Sequence, residues 1–400
     1  LLFVKKDEES PNLCAFLSNN NEFLLSKIIT FSNLKITAYF SYQTILKNFQ
    51  QMKAINALFE AQKIAFGPIV FQTAYAMLEL GILEAIYSER NGLTVDEISE
   101  RTQVSNYGVL VLIEMAEVSG IVEKNGSDKY ELTKVGYFML RNEMTRINLM
   151  FTQHVCYQGM FNLKEAIVTG KPAGLKALGD WKTIYEGLSV LPETVKKSWF
   201  DFDHHYSDNS FDDALKIIFK NTPKKIFDIG GNTGKWAIAS TKHNPDVCVD
   251  IFDLPIQLAV AKENIDQIDS IKDRVTYNPV DMLDPNSEIP GGADVYWMSQ
   301  FLDCFSEPEI ESILLKIKKN ASKDSTIYIM ETFIDNQAFK AATYSLIATS
   351  LYFTVIANGN SKMYSSTAMK YIIEKSGFEC VNEYHLHSDS FHTILEVKLK

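Results

Sequence analysis

Residues Ile226–Ala239, reading IFDIGGNTGKWAIA, constrain the chain more than any other stretch. Lys225-Ile226-Phe227-Asp228-Ile229 is a short apolar run of the kind that forms a buried parallel strand. Gly230-Gly231-Asn232-Thr233-Gly234 interrupts it, and a helical pattern resumes at Trp236. A strand, a glycine turn and a helix in that order let backbone N–H groups approach a ligand closely. The glycines at 230, 231 and 234 miss the dinucleotide G-x-G-x-x-G spacing, and no Lys-Ser/Thr follows them, which excludes a P-loop. Alone, such a loop is also compatible with no ligand.

Val249-Asp250-Ile251-Phe252-Asp253-Leu254-Pro255 predicts a second buried strand that ends in a carboxylate. Asp253 follows Asp228 by about 25 residues, where a βαβ unit places the acid that takes ribose hydroxyls. Val275–Val280 predicts a third strand, closing on Asp281-Met282. DIGGNTG, FDLP and VDM in this order resemble the S-adenosylmethionine (SAM) loop, ribose acid and adenine-side segment of class I methyltransferases. More narrowly, the chain resembles the small-molecule O-methyltransferases with an N-terminal winged-helix domain, the plant caffeate/hydroxyindole type and its bacterial relatives. The resemblance runs from Met52 to Lys400. It implies SAM as cofactor, held by Asp228, Gly230, Gly231, Asn232, Gly234, Asp253, Leu254, Asp281, Met282 and Ser299.

With 400 residues, 46% hydrophobic and 22% charged, the chain can bury the cores of about two domains. A net charge of −11 argues against a nucleic-acid or anionic-membrane partner. Cys14, Cys156, Cys248, Cys304 and Cys380 show no C-x-x-C pairing and no clustered histidines, so neither a metal site nor a disulfide framework is indicated and a reducing cytoplasm is the expected compartment. No apolar run reaches the roughly 18–20 residues of a membrane helix.

Residues 1–51 are rich in Asn, Ser, Phe, Leu, Ile and Lys without a clean period, and read as an extension of doubtful structure ahead of a start at Met52. A dimerisation arm, which the resembling family often places there, is the alternative. From Met52, the residues Ile55, Leu58, Phe59, Gln62, Ala65 and Phe66 follow a helical stripe that Gly67-Pro68 ends. Ile69–Tyr87 reads as one further helix, apolar on nearly all sides, suited to burial between subunits. Thr94 and Glu97 predict a capping box. Ser105 caps the next helix, and Ile121–Lys124, Asn125-Gly126 and Tyr130–Thr133 predict a hairpin. Helices followed by a hairpin make a winged helix, here an N-terminal domain over 52–146. Its would-be recognition helix, Ser105–Val118, carries Glu114 and Glu117 and no Lys or Arg, whereas phosphate contacts need cations. A DNA-binding regulator is therefore the disfavoured alternative. In the resembling family this module builds a homodimer and covers the substrate.

Residues 147–210 read as a helical connector. Its aromatic segment Trp199–Asp208 either packs before the catalytic sheet or lines the substrate pocket through His204, His205 and Tyr206; no third ligand sits at metal spacing. Residues 211–400 alternate strands and helices, with further strands over Ala293–Met298, Ser325–Met330, Phe378–His385 and Phe391–Lys398. The expected class is α/β, a Rossmann-like doubly wound seven-stranded sheet with its ligand crevice at the carboxyl ends of the strands. Gly230, Asp253, Asp281, Asp303 and Glu331 all follow strand ends.

The plant-type signature Ile-Leu-His-Asp-Trp-Ser-Asp aligns without gaps on Phe301-Leu302-Asp303-Cys304-Phe305-Ser306-Glu307, so Asp303 occupies the position of the family's basic His. The first flanking acid of the family falls on Glu331, and Lys362 replaces the second. The resemblance thus implies Asp303 and Glu331 as catalytic residues, with Asn358 and Lys362 in the substrate pocket, while departing from the family at two of three catalytic positions. It implies SAM-dependent methyl transfer to a hydroxyl of a small aromatic or polyketide-like metabolite. C-methylation and non-methylating SAM chemistry stay open, as do three roles for Asp303: base, orienter of the substrate hydroxyl, or cap of the helix near Ser306.

Overall fold

The computed structural model describes residues 53–207, 210–386 and 392–400, so the expected extension over 1–51 lies outside the described residues. The chain forms two compact units that divide after Glu131 rather than at 146. The boundary falls early because the helix Glu143–Phe151 packs on the helix Glu193–Ser207 of the second unit.

In the first unit, α1 (Ala54–Ala65) buries none of its residues, and Gly67-Pro68 opens α2 (Gly67–Glu79), with Pro at the start of the helix. The helix expected over Ile69–Tyr87 is two. Gly81, at φ +73°, stops α2 and starts α3 (Ile82–Tyr87), a left-handed conformation that glycine adopts without strain. The capping box is present at α4 (Val95–Thr102): Glu97 N–H donates to Thr94 Oγ1 at 3.2 Å and Thr94 N–H to Glu97 Oε2 at 2.8 Å. Ser105 caps α5 (Asn106–Val118) through Gly108 N–H. The wing pairs β1 (Val122–Lys124) with β2 (Tyr130–Leu132), and Leu93 bridges to Tyr130 as a third edge.

The second unit begins with α6 (Lys134–Arg141), α7 (Glu143–Phe151), α8 (Leu163–Thr169), α9 (Ile184–Gly187), α10 (Glu193–Ser207) and α11 (Phe211–Ile218). The sheet follows: β3 (Lys225–Ile229), α12 (Lys235–His243), β4 (Cys248–Asp253), α13 (Pro255–Asp266), β5 (Val275–Pro279), β6 (Val295–Ser299), α14 (Glu307–Asn320), β7 (Thr326–Glu331), α15 (Lys340–Tyr352), α16 (Ser366–Lys375), β8 (Phe378–His385) and β9 (Thr393–Leu399). The strand order is β5-β4-β3-β6-β7-β9-β8, seven strands with β9 antiparallel to both neighbours and the rest parallel. The chain direction of the crossovers reverses between β3 and β6, so a crevice opens where the loops after these two strands part.

Strand alternation sorts the core onto two faces. Phe227, Ile229, Tyr296 and Met298 pack with α14 and α16, whereas Ile226, Trp297, Tyr328 and Met330 pack with α12 and α13. Trp236 of α12 stacks on Trp297 of β6, ring centroids 4.2 Å apart and 19° between planes, which fixes the helix that starts from the glycine loop. A third cluster, built by helices, gathers Phe151, Trp199, Leu346, Tyr352, Phe353 and Met363, and Cys304 packs against it.

Candidate active site

A cleft of about 430 Å³ opens at the carboxyl ends of β3 to β7. The loop after β3 enters it through Gly230 and Asn232, the end of β4 through Asp253 and Leu254, and the segment after β5 through Asp281 and Met282. Asn232 N–H donates to Asp253 Oδ2 at 2.8 Å and Leu254 N–H to Asp253 Oδ1 at 2.6 Å. Each carboxylate oxygen therefore keeps a lone pair for a further donor. Burial lifts the Asp253 carboxyl to about 6, against the pull of those two N–H groups.

The other expected cofactor residues lie under the loop. Asp228 is buried beneath it with Oδ2 lacking a hydrogen-bond partner, and burial, then the charge of Asp253, raises its pKa to about 8. A Cβ on Gly231 would come within 2.7 Å of that oxygen, and one on Gly230 (φ +76°) within 2.2 Å of the Phe301 ring. Gly234 backs onto Ile265. The glycines are thus required by packing against protein groups, not only by room for a ligand. Ser299 is not among the residues that line the cleft; its neighbour Gln300, at φ +46° and with Oε1 buried and unbonded, is.

The turn Leu302–Cys304 after β6 carries the buried Asp303 into the cleft. Glu331, at the end of β7, holds this turn: its Oε1 accepts from Phe301 N–H at 3.2 Å and Leu302 N–H at 2.9 Å. The Cys304 thiol donates to Asp303 Oδ1 at 3.5 Å, and Asn358 Nδ2 donates to the Cys304 carbonyl at 2.6 Å. Burial raises Asp303 to about 6, and burial together with the charge of Asp303 raises Glu331 well above the usual carboxylate range. The pair favours one proton between two acids. Asp303 does not cap the helix that follows; Ser306 does, with its N–H on Glu309 Oε2 at 2.8 Å.

The expected substrate-pocket residues separate. Asn358 lines the cleft. Lys362 is exposed, with its ammonium 5.9 Å from the Tyr364 ring centroid, and does not line it. From α10, helical phase turns Trp199, Phe202 and Asp203 into the cleft and His204 and His205 into a separate crevice with Arg141 and Arg146. His204 Nδ1 accepts from Lys235 Nζ at 2.6 Å. The Tyr206 side chain lies outside the described residues. Leu346, Thr349 and Tyr352 of α15 complete the wall, together with Tyr185, none of which the sequence reading singled out. The stretch Ser345–Ala357, without a charged residue and rich in apolar side chains, was the signal for a partly buried helix there.

The strand order and this cleft define a class I SAM-dependent methyltransferase fold. Residues 192–379 match the O-methyltransferase domain model and residues 59–130 the Dimerisation2-like domain model. The chain thus has the class I SAM-dependent O-methyltransferase fold with an N-terminal domain of the dimerisation, winged-helix type, the two matches together leaving the rest of the chain outside them. It is 26% identical over 172 residues to demethylspheroidene O-methyltransferase of Rhodobacter capsulatus, a match covering 43% of this chain and 40% of that enzyme. To the O-methyltransferase SfmM3 of Streptomyces lavendulae it is 19% identical over 323 residues, 79% of this chain and 93% of that one. Among solved structures, mitomycin 7-O-methyltransferase MmcR superposes with a TM-score of 0.63 at 17% identity, covering 86% of this chain and 98% of that chain. The neocarzinostatin-biosynthesis O-methyltransferase NcsB1, in complex with SAM and 2-hydroxy-5-methyl naphthoic acid, superposes with a TM-score of 0.59 at 15% identity, covering 82% and 96%.

The residues present fit SAM. Asp253 offers free lone pairs, and Asn232 Oδ1 and Gln300 Oε1 are buried acceptors on the cleft without a partner among the described residues. Asp228 supplies a test of the loop. Its folded pKa, raised to about 8 from 3.8, makes wild-type stability fall as pH rises between those values, because the native state keeps a proton that the unfolded state releases. Asp228→Asn removes that dependence, so in thermal melts without SAM the variant should gain on wild type progressively from about pH 4 to about pH 8. A difference in melting temperature that does not change with pH contradicts the buried, protonated Asp228.

Proposed function

We propose that the chain transfers the methyl group of SAM to a hydroxyl of a small aromatic or polyketide-like metabolite. The observation that carries this reading is that Asp253 and Asp303 open onto one cleft whose far wall is Trp199, Phe202, Tyr352 and Phe353. Bound SAM supplies an electrophilic methyl on a cationic sulfonium. Asp253 accepts the ribose hydroxyls, while Leu254, Asp281 and Met282 flank the adenine side. Phe301 seals the loop against the turn that bears Asp303. Aromatic relatives' acceptors, the naphthoic acid among them, support a flat substrate between these walls.

Asp303 orients the acceptor hydroxyl more than it removes the proton. Its pKa of about 6 stands about 4 units below a phenol near 10, so full transfer is uphill by roughly 5 kcal/mol. As a carboxylate it accepts the O–H hydrogen bond and fixes the attacking lone pair, a positioning effect of the kind that accelerates methyl transfer. Glu331, protonated, holds the turn without adding a second negative charge. Cys156, Cys248, Cys304 and Cys380 are unpaired, which suits a reducing cytoplasm. Among the described residues no helix is long and apolar enough to cross a membrane.

Calorimetry with SAM followed by methyl transfer to a panel of phenols tests the reading. Asp253→Ala should weaken SAM binding by about 1.5–3 kcal/mol, roughly ten- to a hundredfold; unchanged affinity removes Asp253 from the site. SAM binding with no O-methylated product from the phenol panel, but a carbon-methylated one, would move the reading to C-methylation.

The rate should climb with pH through about 6 as Asp303 ionises, and again toward about 10 as the phenol does. Asp303→Asn should keep measurable transfer and lose the lower rise. Asp303→Ala should lose more, through positioning. Wild-type turnover in Asp303→Ala refutes the role.

The same reading makes the protein a homodimer through α1 and α2, where Ile55, Leu58, Phe59, Ile64, Phe66 and Ile69 are exposed. Light scattering at micromolar concentration should give twice the 45.4 kDa chain mass; a single-chain mass overturns it.

A further inference from the structure

Cys304 follows Asp303 in the turn after β6, and its backbone is fixed on both sides. Asn358 Nδ2 donates to the Cys304 carbonyl at 2.6 Å, and the Tyr364 hydroxyl donates to the next carbonyl, that of Phe305, at 2.7 Å. The Cys304 thiol reaches Asp303 Oδ1 at 3.5 Å, and the Tyr185 hydroxyl of α9 hydrogen-bonds the same sulfur. All three side chains line the cleft. Their order of acidity gives these bonds a direction. Burial, then the neighbouring Cys304, hold the Tyr185 phenol well above its ordinary pKa; burial, then the charge of Asp303, do the same to the thiol. Asp303, at about 6, is the most acidic of the three. Near neutral pH the carboxylate therefore accepts, the thiol donates to it, and the phenol donates to the sulfur.

A thiol by itself is a weak donor. Two features strengthen this one: its acceptor is ionised, and its own sulfur accepts from the phenol, so each bond polarises the next. The titratable groups packed around Asp303 are Glu331 on β7, Tyr185 on α9 and Tyr364 ahead of α16, with Tyr352 of α15 next to the thiol, and none of these carries positive charge. The carboxylate thus depends on neutral donors, the thiol first and then the N–H groups of its own turn, to offset the cost of its burial. An acid at 304, as in the aligned signature, would repel it instead. We propose, on the methyl-transfer reading above, that Cys304 and Tyr185 are positioning residues: the chain from Tyr185 O–H through Cys304 S–H to Asp303 Oδ1 orients the carboxylate that receives the acceptor hydroxyl. The thiol restricts rotation of the carboxylate, and with it the direction in which the hydroxyl is held. The same chain supports the ionised form.

The S–H stretch reads this link without any substrate. Infrared difference spectra of the full chain, wild type against Cys304→Ser, isolate the Cys304 band from those of the other cysteines. That band should move to lower frequency as pH rises through about 6, when Oδ1 becomes an anionic acceptor. The movement should be absent in Asp303→Asn and smaller in Tyr185→Phe, each measured against its own Cys304→Ser double variant. A Cys304 band that pH does not move overturns the proposal. In the phenol-panel assay, Tyr185→Phe should lower kcat about three- to tenfold with little change in KM. It should also move the lower rise in rate upward by roughly half a pH unit. Cys304→Ala should do both more strongly, and Cys304→Ser, which keeps a donor, should restore the pH profile in part. If Cys304→Ala is poorly folded, Tyr185→Phe, which removes one oxygen atom, carries the kinetic arm. Variants that lose turnover but keep the wild-type pH profile show packing alone; they overturn the proposal and leave the role of Asp303 standing. A panel without methylated product, or a lower rise that survives Asp303→Asn, removes the reading beneath the proposal, and the proposal with it.

Discussion

The hydrogen bond from Asn232 N–H to Asp253 fastens the glycine loop of one strand to the end of its neighbour, and the rest of the site is arranged around it. Gly230 N–H, bonded to the Phe252 carbonyl at 2.9 Å, continues the ladder of β3 and β4 past their last regular residues. The loop is thereby drawn onto β4, and α12 leaves it at an angle set by the Trp236–Trp297 stack. Asp253 can hold this tie as an acceptor and still offer lone pairs outward, which neither an amide nor a hydroxyl could do as fully. Its ionised form is costly where it lies, and the two backbone N–H groups reduce that cost.

A second carboxyl does comparable work on the far side of the switch point. Glu331 accepts two backbone N–H groups of the turn after β6 and so sets where Asp303 is presented. A histidine in place of Asp303 could share a proton with a flanking acid. Two acids in that relation cannot both ionise cheaply, and burial raises both above the usual carboxylate range. In the reading proposed above, one proton is shared by the pair, with Glu331 clamping the backbone of the turn while Asp303 faces the acceptor.

Much of this was legible in the sequence wherever a local rule decides the outcome. The strands around 226, 250, 277, 296 and 328 follow from short apolar runs bounded by turns, and the caps at Thr94 and Ser105 follow from side chains that reach their own backbone. Strand ends also brought Gly230, Asp253, Asp281 and Asp303 together, because a doubly wound sheet puts them on one edge. What was not legible depends on helical phase and distant packing. His204 and Phe202 are neighbours in the sequence, yet the turn of α10 separates them into different cavities. Lys362 occupies an aligned position without facing the cleft, since alignment fixes order along the chain and not direction. Gly81 divides a stretch whose apolar composition gave no hint of a break, and α15 joins the site from a region without polar motifs.

The contact between Gly230 and the Phe301 ring has an evolutionary consequence. A Cβ at 230 would strike Phe301, and that ring lies two residues from the acid proposed to orient the acceptor. The loop and the turn cannot drift independently: loss of the ring at 301 would remove the clash, yet φ +76° at 230 would still favour glycine there. The opposite wall is coupled in its own way, since Trp199 of α10 donates to the Tyr352 hydroxyl of α15 and the two are packed in one core cluster.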